Sequence, residues 1–381
     1  MNIAVVGAGL MGRAAVYDLA HNKDVEKIGL FDINLSLARR IARGYGGGKT
    51  LAKRLDAANT KLAQKEFVNY HAVISAVTYR YNPGLAKAAI RAGAHFVDMG
   101  GNNDVVAEEF KLHKKAKAAG VMMIPDCGLA PGMVSIIAAG DIGKFDKPES
   151  LHIRVGGLPQ KPRPPLDYQM VFSAEGLVNE MVEPVLAVRN GEKIMLDPMT
   201  EIETLTFTGL GKFEAFTTSG GISTLPKTYG RILKNIDYKI IRYPGHCEKF
   251  KAMIGLGFSD DRKIEIDGVR VSPRSVFKTM LNKSLSFDEP DMVLVQVITE
   301  GKVRGRKRRH VSEIIDYYDR KSGLTAMMRC TAFPVAIIAA MAAGGKIKAT
   351  GVHPQESVVD PDLFERELAA RKIRLVRRWM K

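Results

Sequence analysis

Three glycines and an aspartate are the first residues whose spacing could do chemistry. Gly7, Gly9 and Gly12 match G-x-G-x-x-G, and Asp32 follows about twenty residues later. Glycines in this order make a tight turn, let backbone approach a pyrophosphate and let a helix pack on a strand. The helix opening at Leu10 and Met11 offers free N–H groups to phosphates. A carboxylate at Asp32 can accept from a ribose 2′-hydroxyl and would repel a 2′-phosphate, so the pattern favours NAD over NADP. A second group lies far along the chain, in Arg242-Tyr243-Pro244-Gly245-His246. Arg242 could clamp a carboxylate with two parallel hydrogen bonds, or pair with a surface acid. His246 could be a general base or a substrate hydrogen-bond partner, or it could cap a helix starting at about Cys247. Thr217, Thr218 and Ser219 precede Gly220-Gly221 in a polar turn suited to binding or simply to closing a hairpin. Asp126 is the carboxylate best placed to meet a cationic amine.

These residues need elements to hold them. Ile3 to Val6 reads as a buried parallel strand, Leu10 to His21 as an amphipathic helix and Ile28 to Phe31 as a second strand. A helix from Leu35 to about Arg43 follows. Gly46-Gly47-Gly48-Lys49-Thr50 looks like the end of a phosphate loop, but Arg43 stands where that pattern needs glycine and no strand precedes it. A flexible turn is expected there. Strands at His71 to Val77, Ala94 to Asp98 and Val121 to Pro125 alternate with helices at Ala86 to Ala92 and Val105 to Ala119. The alternation predicts an α/β, Rossmann-type doubly wound parallel sheet. Ser75, Ala76 and Val77 then end their strand on the same sheet edge as the glycine turn. Gly100 and the turn Asp126-Cys127-Gly128-Leu129 join them, and all should face the nicotinamide end of the cofactor.

From about Ser150 the pattern changes to longer segments rich in β-branched and aromatic residues. These are Leu151 to Val155, Glu203 to Phe207, Phe213 to Thr218, Tyr238 to Tyr243, Met292 to Glu300 and Arg308 to Tyr318. The last two read as a hairpin across a basic run. With helices near Pro226 to Leu233 and Pro273 to Asn282, this predicts an inserted α+β domain on a mostly antiparallel sheet. The four prolines between Gly156 and Pro165 suggest a rigid lid or arm. An alanine-rich helix, Thr331 to Ala343, signals a return to the first domain. The expected division is 1–145, 146–322 and 323–381.

The 381 residues suffice for two domains, and 46% hydrophobic with 26% charged residues is ordinary for a globular protein. The formal net charge of +16 is less ordinary. Only Arg304 to Arg309 and Arg371 to Arg378 are dense in cations, and neither run is interleaved with aromatic residues. A nucleic-acid partner is therefore disfavoured, and solvated loop or strand ends are the default. Cys127, Cys247 and Cys330 fit no metal or redox spacing, so no metal is expected. The first strand leaves no room for a signal peptide, and the longest uncharged run, Cys330 to Gly345, is short for a membrane span and contains a proline. A cytoplasmic location and no membrane partner follow as expectations.

Longer stretches carry a resemblance. IPDCGLAPGM (124–133), VGGLPQKPRPPLDYQMVFSAEGLVNE (155–180), FTTSGGISTLP (216–226) and RYPGHCEKF (242–250) are similar to the lysine 6-dehydrogenases of the saccharopine dehydrogenase superfamily. VVGAGLMG, VDMGGNN (97–103) and GVHPQE (351–356) extend the similarity over nearly the whole chain. Arg329-Cys330-Thr331-Ala332-Phe333-Pro334 departs from it, standing where threonine-threonine-glycine is usual. The resemblance implies NAD-dependent oxidation of the ε-amine of L-lysine, releasing ammonia and an aldehyde that cyclises to a piperideine carboxylate. A base, His246 or Asp126, must first free the nitrogen lone pair, and Arg242, helped by Tyr168 and Thr218, would hold the α-carboxylate. A homodimer is also implied. A saccharopine- or carboxynorspermidine-type reductase keeps the fold but demands more arginines for its extra carboxylates. A redox-sensing binding module is the remaining alternative.

Overall fold

The computed structural model describes residues 1–171 and 173–380, which divide into two compact units. Residues 1–143 and 328–374 form the first, and residues 144–327 with the C-terminal segment from Leu375 form the second.

The first unit is built on strands Asn2–Val6 (β1), Lys27–Asp32 (β2), Thr50–Arg54 (β3), Ala72–Ser75 (β4), His95–Asp98 (β5) and Met122–Ile124 (β6). They pair in parallel in the order β3-β2-β1-β4-β5-β6, and Gly351–Val352 adds a further strand beyond β6. This is the Rossmann order, which places the switch point between β1 and β4. The inner strands β1 and β4 are apolar because helices cover both faces: Ile3, Ala4, Val5, Val73 and Ile74 are all buried completely. β3 was not anticipated. It is an edge strand, half-exposed and polar, so it lacks the apolar run that marked its neighbours. The single helix expected over Val105 to Ala119 is two, Asn103–Phe110 and His113–Ala118. Helix Ala326–Ala343 is long and apolar enough to cross a membrane, yet 83% of it is buried in the fold.

The second unit carries a mixed sheet. Its strands are Lys147–Pro159 (β7), Val185–Arg189 (β8), Glu192–Leu196 (β9), Glu203–Phe207 (β10), Gly211–Thr217 (β11), Asn235–Arg242 (β12), Ile264–Ile266 (β13), Val269–Val271 (β14), Asp291–Val303 (β15) and Arg306–Tyr317 (β16). The main path is β10-β11-β12-β7-β15-β16, closed by the C-terminal strand Val376–Met380; only β12 and β7 pair in parallel. β8 and β9 branch from β12, and β13 with β14 forms a separate hairpin.

Several expectations are corrected here. The segment 323–381 does not return whole to the first unit, because Val376–Met380 pairs antiparallel with β16. Gly156 to Pro159 is not lid but the end of β7, laddered against Asp291–Leu294. The strands β15 and β16 run straight through the basic stretch and turn only at Arg304-Gly305, where both residues have positive φ. Helix formation near Pro226 stops at Thr228, giving only Leu225–Thr228.

Candidate functional site

In the first unit the glycine turn has the form that a dinucleotide needs. Gly7 sits at φ +106, and a Cβ there would lie 2.5 Å from the Ala76 carbonyl oxygen. A Cβ on Gly12 would lie 1.8 Å from the Gly7 carbonyl oxygen, while Gly9 faces open space. Gly9 caps helix Leu10–His21 without any side-chain hydrogen bond, so the first-turn N–H groups stay available to an anion. Asp32 accepts from Ala8 N–H (2.7 Å, Oδ2) and Asn34 N–H (2.7 Å, Oδ1), which fixes its carboxylate beside the turn with lone pairs to spare. A cleft of about 330 Å³ is lined by Gly7, Gly9, Asp32, Asp56, Ala76 and Val77 among others, with no cation in its lining. These features fit a dinucleotide. Gly12→Ala is expected to weaken binding of the reduced nicotinamide dinucleotide, NADH or NADPH, by at least ~100-fold in isothermal titration, because the Cβ can be admitted only by moving the pyrophosphate-binding backbone. Unchanged affinity would show that the turn serves packing alone.

The other expected cofactor residues divide. The Ser75 hydroxyl is committed to Asn82 Oδ1 at 2.7 Å. Cys127 is fully buried, and burial with the charges of Asp98 and Asp126 pushes its thiol well up. Leu129 is buried as well. Gly100 (φ +70) lies directly over Asp126, since a Cβ there would meet Asp126 Oδ1 at 1.7 Å. Asp126, at φ 61 and 1% exposed, is held in place by Asp98, whose Oδ1 accepts from the N–H groups of Gly100 and Asp126. Glu109 completes this cluster and was missed in the sequence, where it reads as one more acid on a helix. Burial and the charges of Asp98 and Asp126 push its carboxyl far up, so it is protonated at neutral pH. Asp98 Oδ2 and both Glu109 carboxyl oxygens are buried without a hydrogen-bond partner.

In the second unit the structure gathers residues from four distant stretches. Arg242 ends β12 at 1% exposure, and its guanidinium carbon lies 4.4 Å from the Tyr168 ring centroid. Its Nη1 donates to the Ile241 carbonyl, but Nε and Nη2 have no hydrogen-bond partner. The nearest acid is Glu180, whose Oε2 lies 3.9 Å from Nη2. Tyr168 Oη, Thr218 Oγ1, Glu180 Oε2 and His246 Nε2 are buried and unpartnered too. Buried polar atoms are seldom left unpaired, so two nitrogens of Arg242 with the unpartnered atoms of Tyr168, Glu180 and His246 beside it mark a place prepared for a polar ligand.

Burial pushes the Tyr168 hydroxyl up to about 12, leaving it a donor. His246 is the first residue of helix His246–Gly255 and faces inward against Phe250 at 4.9 Å. Its Nδ1 lies 2.9 Å from the Leu166 carbonyl, so Nδ1 carries the hydrogen and Nε2 is left as an acceptor. Burial and the Arg242 charge lower its pKa to about 3, so the premise of a titration near neutral pH does not hold. Glu180, on helix Ala174–Val182, is the group that titrates there: burial, opposed by Arg242 and aided by Glu183, raises it to about 7. It was missed, although an acid three residues after buried Leu177 was the available signal.

The polar turn divides as well. Thr217 is structural: its hydroxyl lies 3.0 Å from the Asp197 carbonyl and 2.9 Å from Thr200 N–H. Ser219 is occupied by Glu183 Oε2 at 3.1 Å. Thr218 alone keeps a hydroxyl that is buried without a partner. Gly221 is required because Tyr238 packs against it; a Cβ would lie 2.2 Å from that ring.

The first unit's Rossmann sheet thus carries a turn that fits a dinucleotide, and the second unit's mixed sheet buries an arginine beside other unpartnered polar atoms. Comparison with known families is specific: residues 3–124 match the saccharopine dehydrogenase NADP binding domain and residues 128–373 the saccharopine dehydrogenase C-terminal domain. The chain belongs to the saccharopine dehydrogenase family. It is 26% identical over 305 residues to saccharopine dehydrogenase [NADP(+), L-glutamate-forming] of Saccharomyces cerevisiae, covering 76% of this chain and 65% of that one. It is 24% identical over 396 residues to alpha-aminoadipic semialdehyde synthase of Arabidopsis thaliana, covering 81% and 37%. The chain thus spans less than two thirds of the length of these relatives. The solved structure of apo saccharopine dehydrogenase (L-Glu forming) from Saccharomyces cerevisiae shares the fold, with a TM-score of 0.82 at 20% identity and 100% of both chains covered.

Proposed function

We propose that the chain oxidises the ε-carbon–nitrogen bond of L-lysine with NAD, giving ammonia and an aldehyde that cyclises to a piperideine carboxylate. The observation that carries this reading is the set of unpartnered atoms around Arg242. Arg242, Tyr168 and Thr218 offer donors to one carboxylate, while Glu180 and His246 Nε2 offer acceptors to one ammonium. That is the complement of the α-amino-acid end of a substrate. His246 acts as a neutral acceptor rather than a proton store, in keeping with its low pKa. A bound nicotinamide supplies the hydride acceptor.

Two features bear on the choices within the family. Arg154 and Arg274, the other deeply buried arginines of the second unit, are committed to Asp237 and Glu203 and to Glu175. Only Arg242 is left for a substrate carboxylate in this cluster, which favours lysine over the three carboxylates of saccharopine. Asp32 and Asp56 in the adenosine-side cleft disfavour a 2′-phosphate. Saccharopine is the second reading, supported by the activities named for the relatives. NADH formation with NAD and L-lysine, with equal ammonia released, is the expected result, and NADP should react at least ~10-fold less well. Turnover of saccharopine with silence toward lysine would establish the second reading instead.

A further inference from the structure

The two basic runs of the sequence lie far apart in the chain, and the pairing of β16 with Val376–Met380 brings parts of them together. His310 stands opposite Trp379, Val311 opposite Arg378 and Ser312 opposite Arg377. Alternation along a strand puts Arg306, Arg308 and Trp379 on one face of this three-stranded end of the sheet. On β15 the residue opposite Arg308 is Gly301, which carries no side chain, and Phe145 packs into that space. The result is a cleft of about 600 Å³ lined by Val303, Arg304, Arg306, Arg308 and Trp379. Its volume is within the ~300–1,000 Å³ of ligand clefts.

Trp379 is 48% exposed, and its protein side is gripped by Phe145 at 5.2 Å and His310 at 4.6 Å. An indole so held presents a rigid surface to solvent. The side chains of Arg304, Arg306 and Arg308 make no ion pair among the described residues. The acids of this hairpin face the other way, Glu300 toward Arg309 and Glu313 toward Arg378. Asp146, beside the cleft, accepts from the Arg304 backbone N–H at 2.5 Å.

We propose that this cleft binds single-stranded nucleic acid, with the three arginines on successive phosphates and a base stacked on Trp379. Charge alone would suit any polyanion. The exposed indole selects among them, because it adds stacking only for a ligand that has a free aromatic face. Bases in a duplex are already stacked on one another, so a single strand fits better than a double one. The proposal is independent of the substrate reading, since it uses none of the same residues.

Trp379 is the single tryptophan of the chain, so its emission reports on the cleft directly. Titration of the full chain with a labelled deoxythymidine oligomer of about ten nucleotides should give saturable anisotropy with quenching of Trp379. Three phosphate contacts on a single strand predict a slope of log K against log salt of about −2. Arg306→Gln with Arg308→Gln should reduce that slope to roughly −0.7 and weaken binding at least tenfold at low salt. Trp379→Ala should weaken binding by about tenfold and leave the slope unchanged, with circular dichroism confirming that both variants fold. The proposal is overturned if heparin or polyphosphate binds as tightly as the oligomer and Trp379 stays unquenched. Preferential binding to phosphatidylserine vesicles would also overturn it, as would a Trp379 already shielded from iodide by a second copy of the chain.

Discussion

Arg242→Ala is expected to lower kcat/KM for the amino-acid substrate by roughly 30- to several-thousand-fold, the ~2–5 kcal/mol typical of truncating one partner of a buried charge pair. The guanidinium is almost completely buried and has two unpartnered nitrogens. A substrate carboxylate would satisfy both, and nothing else in the cluster carries positive charge. Loss of the arginine also removes the charge that holds Glu180 down, so the Glu180 titration should move above its value of about 7. In the wild type, substrate affinity should rise as the pH passes upward through about 7 and Glu180 ionises, because its carboxylate receives the ammonium. The same group makes the fold less stable as pH rises from the ordinary carboxyl range toward 7, since the folded state binds that proton more tightly than the unfolded chain. Steady-state kinetics across pH on both proteins checks these points. A variant with unchanged KM and an unshifted profile would remove Arg242 from substrate binding.

Asp237→Ala is expected to give the largest loss of stability in the second unit, about 3–5 kcal/mol, or on the order of 10 °C in Tm. Asp237 is buried on β12, hydrogen-bonds His152 Nδ1 at 2.9 Å and Arg154 Nη1 at 2.6 Å, and forms an ion pair with Arg189 Nη1 at 2.9 Å. Burial alone would raise its pKa, but the hydrogen bond from His152 and the charge of Arg154 overcome burial and hold it far below the usual range. A depressed carboxyl adds stability above its unfolded pKa of ~3.9 and loses it as pH falls further. The gap between wild type and variant should therefore be full at pH 7 and shrink below about pH 4. Equilibrium denaturation at the two pH values measures it, and a gap that persists undiminished in acid would assign the effect to packing. Arg154 keeps Glu203 in the variant, so the second unit should remain folded enough to measure.

Much of the first unit was legible because local patterns there are sufficient. A buried parallel strand must be apolar along its length, and the glycine turn has no freedom in spacing: Gly7 and Gly12 each abut backbone that a methyl group would strike. What escaped notice was polar or marginal, as with β3, whose residues are half-exposed. The second unit was legible as strands but not as a sheet, since pairing partners lie up to about 150 residues apart, as β7 and β15 do. Within the motifs, residue type did not separate Thr217 from Thr218. The two are adjacent on one chain, yet one hydroxyl closes a turn and the other is left free.

By itself the sequence determined the dinucleotide turn, the α/β alternation and the family, because these rest on short-range spacing and side-chain volume. Only the tertiary structure decided which polar groups are unpaired. It gathered Tyr168, Glu180, Arg242 and His246 in one buried cluster, lowered the pKa of His246 and raised that of Glu180 toward neutrality. It also set Trp379 among the arginines of a distant hairpin. The physical reason is that burial and charge act through space: a pKa or an unmet hydrogen bond depends on neighbours that the order of residues does not name.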